Sequence, residues 1–466
     1  IFVFCKQKSI PLSKISNAFS KILLNNLKNN DEDVNYIKSI WKLVSILSSV
    51  VPSHFKSSLY YDLWNEYTNL PPEYFLILAN LNFKNDEIKE DLTAFLNSEI
   101  TENSKKYELI HSILQLIRIQ DDVEPKFVEL LASWCESINN TVQSQNVSQN
   151  ELENLATVIY AAGEVISLLS KSHFLNDLNY TGLQILFSLN LPNGEPVPPQ
   201  ICALSVITLG KLCLVQKDLS RSFVAAFAHL LSSKSSSPTV KCNCLIVLCD
   251  LCVAYSALVE PYVKMITHCF ADPSPLVRHQ TLILLTRLIV EDYLKMSSIK
   301  FFRYTYAMTD KNSGVSSFAA NCLLNVITNK IHDLIGSHFM EALFYFSNEA
   351  SVRTFDETDE ERKLFGLKNT KNRHFALSML ISKMDNMVAF KTTEAICKNV
   401  FAKFINSEFN LSNHSTILED SIYSLIELEE KMDQSLDLDF AEDEAGEKVL
   451  EVGKQIIQRV AEMRNS

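Results

Sequence analysis

The sequence predicts an all-α chain built as an α-solenoid, a superhelix of stacked antiparallel helix pairs, and three observations predict it. Apolar residues recur at helical spacing through most of the chain, only 9 glycines and 13 prolines interrupt 466 residues, and one helical pattern returns at a nearly constant interval. The pattern is plainest from Phe270 to Lys295. Ser274 is placed to cap a helix and Pro275 to open its first turn, after which Val277, Thr281, Leu285 and Leu288 line one stripe.

Pro199, Pro238, Pro275 and Ser313 open four such segments, 39, 37 and 38 residues apart. Two positions after each opener stands Ile201, Val240, Val277 or Val315; ten after it, Leu209, Leu248, Leu285 or Leu323; thirteen after it, Leu212, Leu251, Leu288 or Val326. A second apolar helix follows the first in each unit, as in Leu219 to Leu231, Tyr262 to Phe270 and Phe301 to Met308. A period near 40 with two helices per unit is the mark of HEAT-type repeats, whose faces are buried only by neighbouring repeats.

The remaining elements follow the same logic. Helices are expected at Leu12 to Leu27, Val34 to Val51, Phe55 to Tyr67, Glu73 to Leu81, Tyr107 to Ile119, Phe127 to Ile138 and Leu152 to Leu169, with Trp41 and Trp64 on packed faces. Asn139 to Asn150 reads as a polar loop, and its Asn139-Asn140-Thr141 and Asn146-Val147-Ser148 sequons would matter only in a secreted chain. Leu191 to Pro199 is rich in breakers. Ser347 to Glu361 reads as acidic and irregular, and further helices are expected at Phe375 to Met384, Thr393 to Phe404 and Ile417 to Leu428. The carboxylate run from Leu436 to Glu447 reads as a solvated linker before an amphipathic helix from Lys448 to Met463. Four regions result: 1–190, N-terminal repeats; 191–350, core repeats; 351–435, C-terminal repeats with a basic turn; and 436–466, linker and last helix.

Composition narrows the function. A net charge of −12 argues against a chain that coats nucleic acid along its length, yet residues 199–346 hold 13 Lys and Arg against 9 Asp and Glu, so the core repeats carry +4 and the remainder −16. Eleven cysteines lie mostly within apolar helical patterns, as expected in a reducing compartment. The apolar run Cys244 to Val259 holds Asp250 and is short for a membrane span.

No nucleophile elbow, phosphate loop, zinc-protease motif or dinucleotide turn occurs, and His268, His279, His332 and His338 each sit alone in helical patterns, so no catalytic residue and no cofactor is expected. Cys242, Cys244, Cys249 and Cys252 resemble a metal box. On a helix, however, Cys244 points well away from Cys242 and Cys249, which favours buried thiols over zinc ligands. Arg278, with Lys241 in the same place one repeat earlier, has two readings: a phosphate contact on a concave face, or a stem laid over the turn and paired with acids such as Asp272. Arg362, Lys363, Lys368, Lys371 and Arg373 gather around Gly366 as the candidate DNA-binding residues, set against a merely solvated basic turn. Ser237 before Pro238 is either a phosphorylation site or a capped turn.

The blocks ICALSVITLGKLCL from Ile201, CLIVLCDLC from Cys244, DPSPLVRHQTLILLTRLIVEDYLK from Asp272, FFRYTYAMTDKNSGVSSFAANCLLNVI from Phe301 and ERKLFGLKNTKNRHFALSMLI from Glu361 occur in order. Together they resemble the HEAT segment of the D-type non-SMC subunits of condensin, the condensin II form most of all. The resemblance is dense from Pro199 to Leu380. It implies a non-catalytic scaffold that holds the kleisin, works with the SMC ATPase heterodimer and a second HEAT-repeat subunit, and engages duplex DNA and chromatin in mitotic chromosome condensation, in the nucleus and on chromosomes. Chains of that family are much longer, and this one opens on Ile1, so a fragment is expected. Two other readings stand beside it: a different HEAT adaptor, such as an importin-like carrier or phosphatase scaffold, and the helical-repeat region of a giant kinase. The local +4 speaks against the acidic groove of an importin-like carrier.

Overall fold

The computed structural model describes residues 18–23, 34–50, 52–55, 60, 70–84, 91–96, 107–120, 123–144, 149–169, 175, 178–188, 190–192, 194, 196–347 and 357–439. Among these every regular element is helical, and the single β-bridge, Asn190 with Pro196, lies in the breaker-rich stretch before the core repeats. The fold is the α-solenoid expected. Two compact units divide the chain, one of residues 1–227 and 235–247, the other of 228–234 and 248–466.

In the first unit, α1 (Val34–Val50) and α3 (Tyr107–Arg118) pack on α2 (Pro72–Asn80), where Tyr74 meets Trp41 edge-on with centroids 6.4 Å apart. Trp41 is therefore core; Trp64 and the expected helix to Tyr67 lie outside the described residues, as do most of Leu12 to Leu27. Helix α4 (Glu124–Gln143) precedes α5 (Gln149–Leu168), which packs on α3, on α4 and on α7 (Pro199–Val215). One carboxylate ties three of these helices, since Glu164 of α5 accepts from His111 of α3 and from Lys211 of α7, each at 2.7 Å. The His111 hydrogen bond, opposed by burial and reinforced by Lys211, holds the Glu164 carboxyl at about 2.

The expected loop from Asn139 is shorter than its composition suggests, because α4 continues through Gln143 and α5 begins at Gln149. Buried Asn139 explains it. Its Nδ2 donates to the Asn179 carbonyl at 3.0 Å and its Oδ1 accepts from the Gly182 N–H at 2.6 Å, at the start of α6 (Thr181–Phe187). A polar side chain thus satisfies a distant turn without leaving the helix.

The repeat openers behave as the spacing predicts. Helices α7, α9 (Pro238–Val259), α11 (Pro275–Val290) and α13 (Ser313–Asn321) begin at the four expected positions, with α8 (Lys217–Ser232) as the second helix after α7. The caps differ in detail. Ser237 accepts from Val240 N–H at 3.3 Å and Asn312 from Val315 N–H at 3.1 Å, whereas Ser274 makes no side-chain cap and instead gives its own N–H to Asp272 Oδ1 at 2.9 Å. Helical turns run from Pro238 to Ala271, long and apolar enough to cross a membrane by length and composition. They break at Tyr255 (φ −145°, ψ 61°), however, and Val240, Leu245, Leu248 and Leu251 are spent on the core.

The fourth repeat departs from the stripe. Val326 is 39% exposed where Leu212, Leu251 and Leu288 are buried, because α13 passes into a π-helical segment at Cys322–Ile327. The wider turn shifts the register by one residue, so Ile327 is buried in its stead.

In the second unit, α12 (Ser298–Ala307) packs on α13, on α14 (Leu334–Phe346) and on α15 (Asp359–Phe365). Helix α14 also meets α16 (Thr370–Ser382), α17 (Asn386–Ile396) and α18 (Leu411–Asp439), and α16 and α17 both lie on α18. The acidic stretch is thus helical from Asp359, and the expected linker from Leu436 is still helix through Asp439. The last expected helix, from Lys448, lies outside the described residues.

Gly210 is the closest approach in the first unit: a Cβ there would lie 2.3 Å from Cγ2 and 2.9 Å from Cγ1 of Val247. Valine is stiff at χ1 and cannot swing away. Gly210→Ala is therefore expected to destabilise the chain by about 1–3 kcal/mol despite the better helix propensity of alanine, read as a lower midpoint in urea unfolding.

Candidate nucleic-acid interface

The basic turn is positioned by a short segment, residues 357–373, whose charged side chains reach back across the second unit. Thr358 and Glu361 start α15 with a capping box: Thr358 Oγ1 accepts from Glu361 N–H at 3.3 Å, and Glu361 Oε2 accepts from Thr358 N–H at 2.7 Å. Asp359, Glu360 and Glu361 occupy the first turn, Arg362 and Lys363 the last, each matched to the sign of the helix end.

Glu361 also accepts from Lys264 at 2.9 Å and from His268, on α10 (Val263–His268). Burial alone would raise its pKa, but the Thr358 N–H, Lys264 and His268 outweigh that and hold the carboxyl at about 2. One residue before the cap, Glu357 accepts from Arg303 Nη2 at 2.5 Å and from the Tyr345 hydroxyl at 2.9 Å. The Arg303 guanidinium lies 3.6 Å from the centroid of the buried Phe365 ring. This pair sits inside the protein, Arg303 at 1% and Glu357 at 4% side-chain exposure.

The five basic residues do not form one surface. Arg362 is half-buried, its guanidinium 5.6 Å from the Tyr345 ring centroid. Arg373 is only 5% exposed; its Nε donates to Asp420 Oδ2 at 2.7 Å and its Nη2 to Thr370 Oγ1 at 3.1 Å. Asp420, itself buried, accepts from Ser347 at 2.8 Å as well. Lys363, Lys368 and Lys371 are exposed. One helical turn beyond Lys371, Phe375 is 47% exposed on the same side of α16, an aromatic neighbour that the charge pattern did not single out.

Arg278 takes the structural reading, with a different acid. Its Nε and Nη2 grip Asp310 at 2.6 and 2.8 Å, and its Nη1 donates to the carbonyls of Asp272 and Pro273 at 2.8 and 3.1 Å. The bidentate partner comes from the next inter-repeat turn, 32 residues on. His268 is not alone either, since Glu361 lies 93 residues away in sequence. Cys242, Cys244, Cys249 and Cys252 are buried, and desolvation pushes the Cys249 and Cys252 thiols above their ordinary range. Among the described residues no group of three or more His, Cys, Asp or Glu is arranged to hold a metal ion.

Two predictions separate the roles. Glu361 titrates at about 2 in the fold against an ordinary 4.5, so its contribution is complete above about pH 4.5 and is lost as pH falls toward 2. Glu361→Gln should cost roughly 1–3 kcal/mol at pH 7, and urea unfolding of the two proteins should converge as the pH is lowered through that window. Arg373→Ala strands the Asp420 carboxylate and should cost about 3–5 kcal/mol, whereas Lys371→Ala should stay within about 0.5 kcal/mol in the same assay.

Comparison with known proteins follows the repeats. Residues 239–425 match the family described as non-SMC mitotic condensation complex subunit 1, and residues 175–231 match condensin-2 complex subunit D3-like HEAT repeats. The chain is 29% identical over 245 residues to condensin-2 complex subunit D3 of Mus musculus and 30% identical over 243 residues to condensin-2 complex subunit D3-L of Xenopus laevis. Each alignment covers 51% of this chain but 16% of the relative, so the matched stretch spans about a sixth of those proteins. Among solved structures, the C-terminal fragment of the cohesin loader SCC2 of Chaetomium thermophilum superposes with a TM-score of 0.56 at 12% identity, covering 96% of this chain and 40% of that one, a likeness of fold. By repeat architecture, matched segments and relatives together, residues 175–425 resemble the HEAT-repeat region of the D-type non-SMC subunits of condensin, and the likeness is to the condensin-2 form.

Proposed function

We propose that this chain is a non-catalytic scaffold segment of a condensin-2 complex, acting in mitotic chromosome condensation in the nucleus and on chromosomes. The observation that carries the reading is the match of residues 175–231 and 239–425 to condensin subunits, over stretches whose described elements are helices. In this reading the repeats hold an extended segment of the kleisin, the chain meets the SMC ATPase heterodimer and a second HEAT-repeat subunit within the complex, and ATP hydrolysis belongs to the SMC partners. Domain roles follow the same division: core repeats at 191–350 for assembly, and the region 351–435 for contact with duplex DNA.

Within that region the DNA contact is assigned to Lys363, Lys368 and Lys371. Exposed ammonium groups on a turn can track phosphates without reading sequence. Arg362 and Arg373 are withdrawn from the contact and given a supporting role, since packing against Tyr345 and pairing with Asp420 already engage them.

Co-purification with a condensin-2 kleisin and titration with duplex DNA at two salt concentrations test the reading. Kleisin should be retained, and DNA affinity should fall steeply with salt. Reversing charge at the three lysines should flatten the dependence of log K on log salt by roughly 2–3 while leaving kleisin retention unchanged. An unaltered slope would remove the turn from the DNA contact, and failure to retain any condensin kleisin would overturn the scaffold assignment.

A further inference from the structure

Helix α18 runs beside α16 in the same direction, held in register along its length. His374 stacks on Tyr423 with ring centroids 3.9 Å apart, Ser378 Oγ donates to Glu427 at 2.6 Å, and Lys431 Nζ donates to the Ser382 carbonyl at 2.9 Å. The partners in each pair are 49 residues apart, so the two helices match turn for turn. A short turn leads from α16 into α17, which packs on α18. By that correspondence α18 is the first helix of a further pair, and the second helix of that pair is not among the described residues.

The side of α18 turned away from its neighbours is apolar with an acidic border. Ile417, Ser421, Ser424, Leu425 and Leu428 are buried. Leu418, Ile422 and Ile426 follow one another by four residues on another side, the first two half-buried and Ile426 43% exposed. Glu419, Glu429, Glu430 and Asp433 stand around them, and residues 418–433 hold six carboxylates against one base, Lys431.

A complementary stripe lies further along the same chain. In residues 448–463, Val449, Val452, Ile456 and Val460 recur at helical spacing, with Lys448 and Arg459 beside them and Glu451 and Glu462 turned from them. Eight residues, 440–447, separate this stretch from Asp439 at the end of α18, a length that suits antiparallel neighbours. As a helix it would rise about 24 Å, and Leu418 to Asp433 spans about 22 Å of α18. Gly453 and its shortness make such a helix marginal in isolation, so its order depends on a packing partner.

We propose that residues 448–463 of this same chain form the return helix of the pair, laying Val449, Val452, Ile456 and Val460 on the stripe of Leu418, Ile422 and Ile426. The antiparallel course brings Lys448 toward Glu430 and Asp433 and Arg459 toward Glu419, and leaves Glu451 and Glu462 away from the acidic border. A second copy of α18 is a poorer occupant, because it would set carboxylates against carboxylates. The docking does not depend on the role proposed for the repeats.

Hydrogen exchange of the whole chain, read by mass spectrometry, tests it against a synthetic peptide of residues 448–463. Amides of 449–460 should exchange at least about tenfold more slowly in the chain than in the peptide, and equally so over about a tenfold range of protein concentration. Ile426→Asp should return them to within about twofold of the peptide while the amides of α16 keep their protection. Ile456→Asp, placed in the segment itself, should do the same and serves if Ile426→Asp disturbs α18. Exchange as fast in the chain as in the peptide would overturn the proposal. Protection that survives both substitutions would overturn the docking face, and protection that rises with concentration would overturn the intrachain occupant in favour of a second copy.

Discussion

Each helix pair in this chain carries more apolar surface than it can bury within itself, and the rest of the structure follows from that constraint. Val277, Leu285 and Leu288 on α11 are almost wholly buried, yet so are Leu282, Leu284 and Ile289 on its flanks. The helix is apolar over most of its circumference, so it needs partners on more than one side. In a repeat architecture such partners are the faces of neighbouring repeats. The same demand takes up much of the apolar run from Pro238 to Val259, where Val240, Leu245, Leu248 and Leu251 are buried in the core.

Apolar stacking alone does not set the register of one repeat on the next, because the stripes are chemically alike. Polar side chains buried between elements do that here. Glu164 accepts from His111 and Lys211, Arg278 clasps Asp310 across a repeat, Arg303 meets Glu357, and Arg373 meets Asp420. A buried charge is expensive in any position except the one where its partner and remaining donors are met. A shift of a helix by one turn would therefore cost far more at these points than along the apolar stripe. Asn139, bonded to Asn179 and Gly182, is the uncharged version of the same device.

The segment 357–373 shows how one stretch serves both packing and surface chemistry. Glu357 and Glu361 turn inward to Arg303, Lys264 and His268 while Asp359 and Glu360 stay exposed, and its arginines are bound to Tyr345 and Asp420. Arginine's planar fork, always charged and weakly hydrated, suits such interior pairing; lysine's compact and strongly hydrated ammonium is better left in water. The division between Arg373 inside and Lys363, Lys368 and Lys371 outside follows that chemistry, and it is the reason a net basic turn can be both anchored and available.

The amino-acid sequence by itself determined the helical class, the period, the four repeat openers and the buried stripe, because all of these are local: proline and serine at a first turn, and apolar spacing along one helix. It also placed the basic cluster. Only the tertiary structure decided which of those charges face solvent, because the partners of Arg373, His268 and Arg278 lie 47, 93 and 32 residues away, and no local pattern encodes so distant a carboxylate. For the same reason Asn139 read as loop and Val326 as core. In one case a remote turn satisfied the amide and let the helix continue; in the other a π-helical turn moved the register by one residue and buried Ile327 instead.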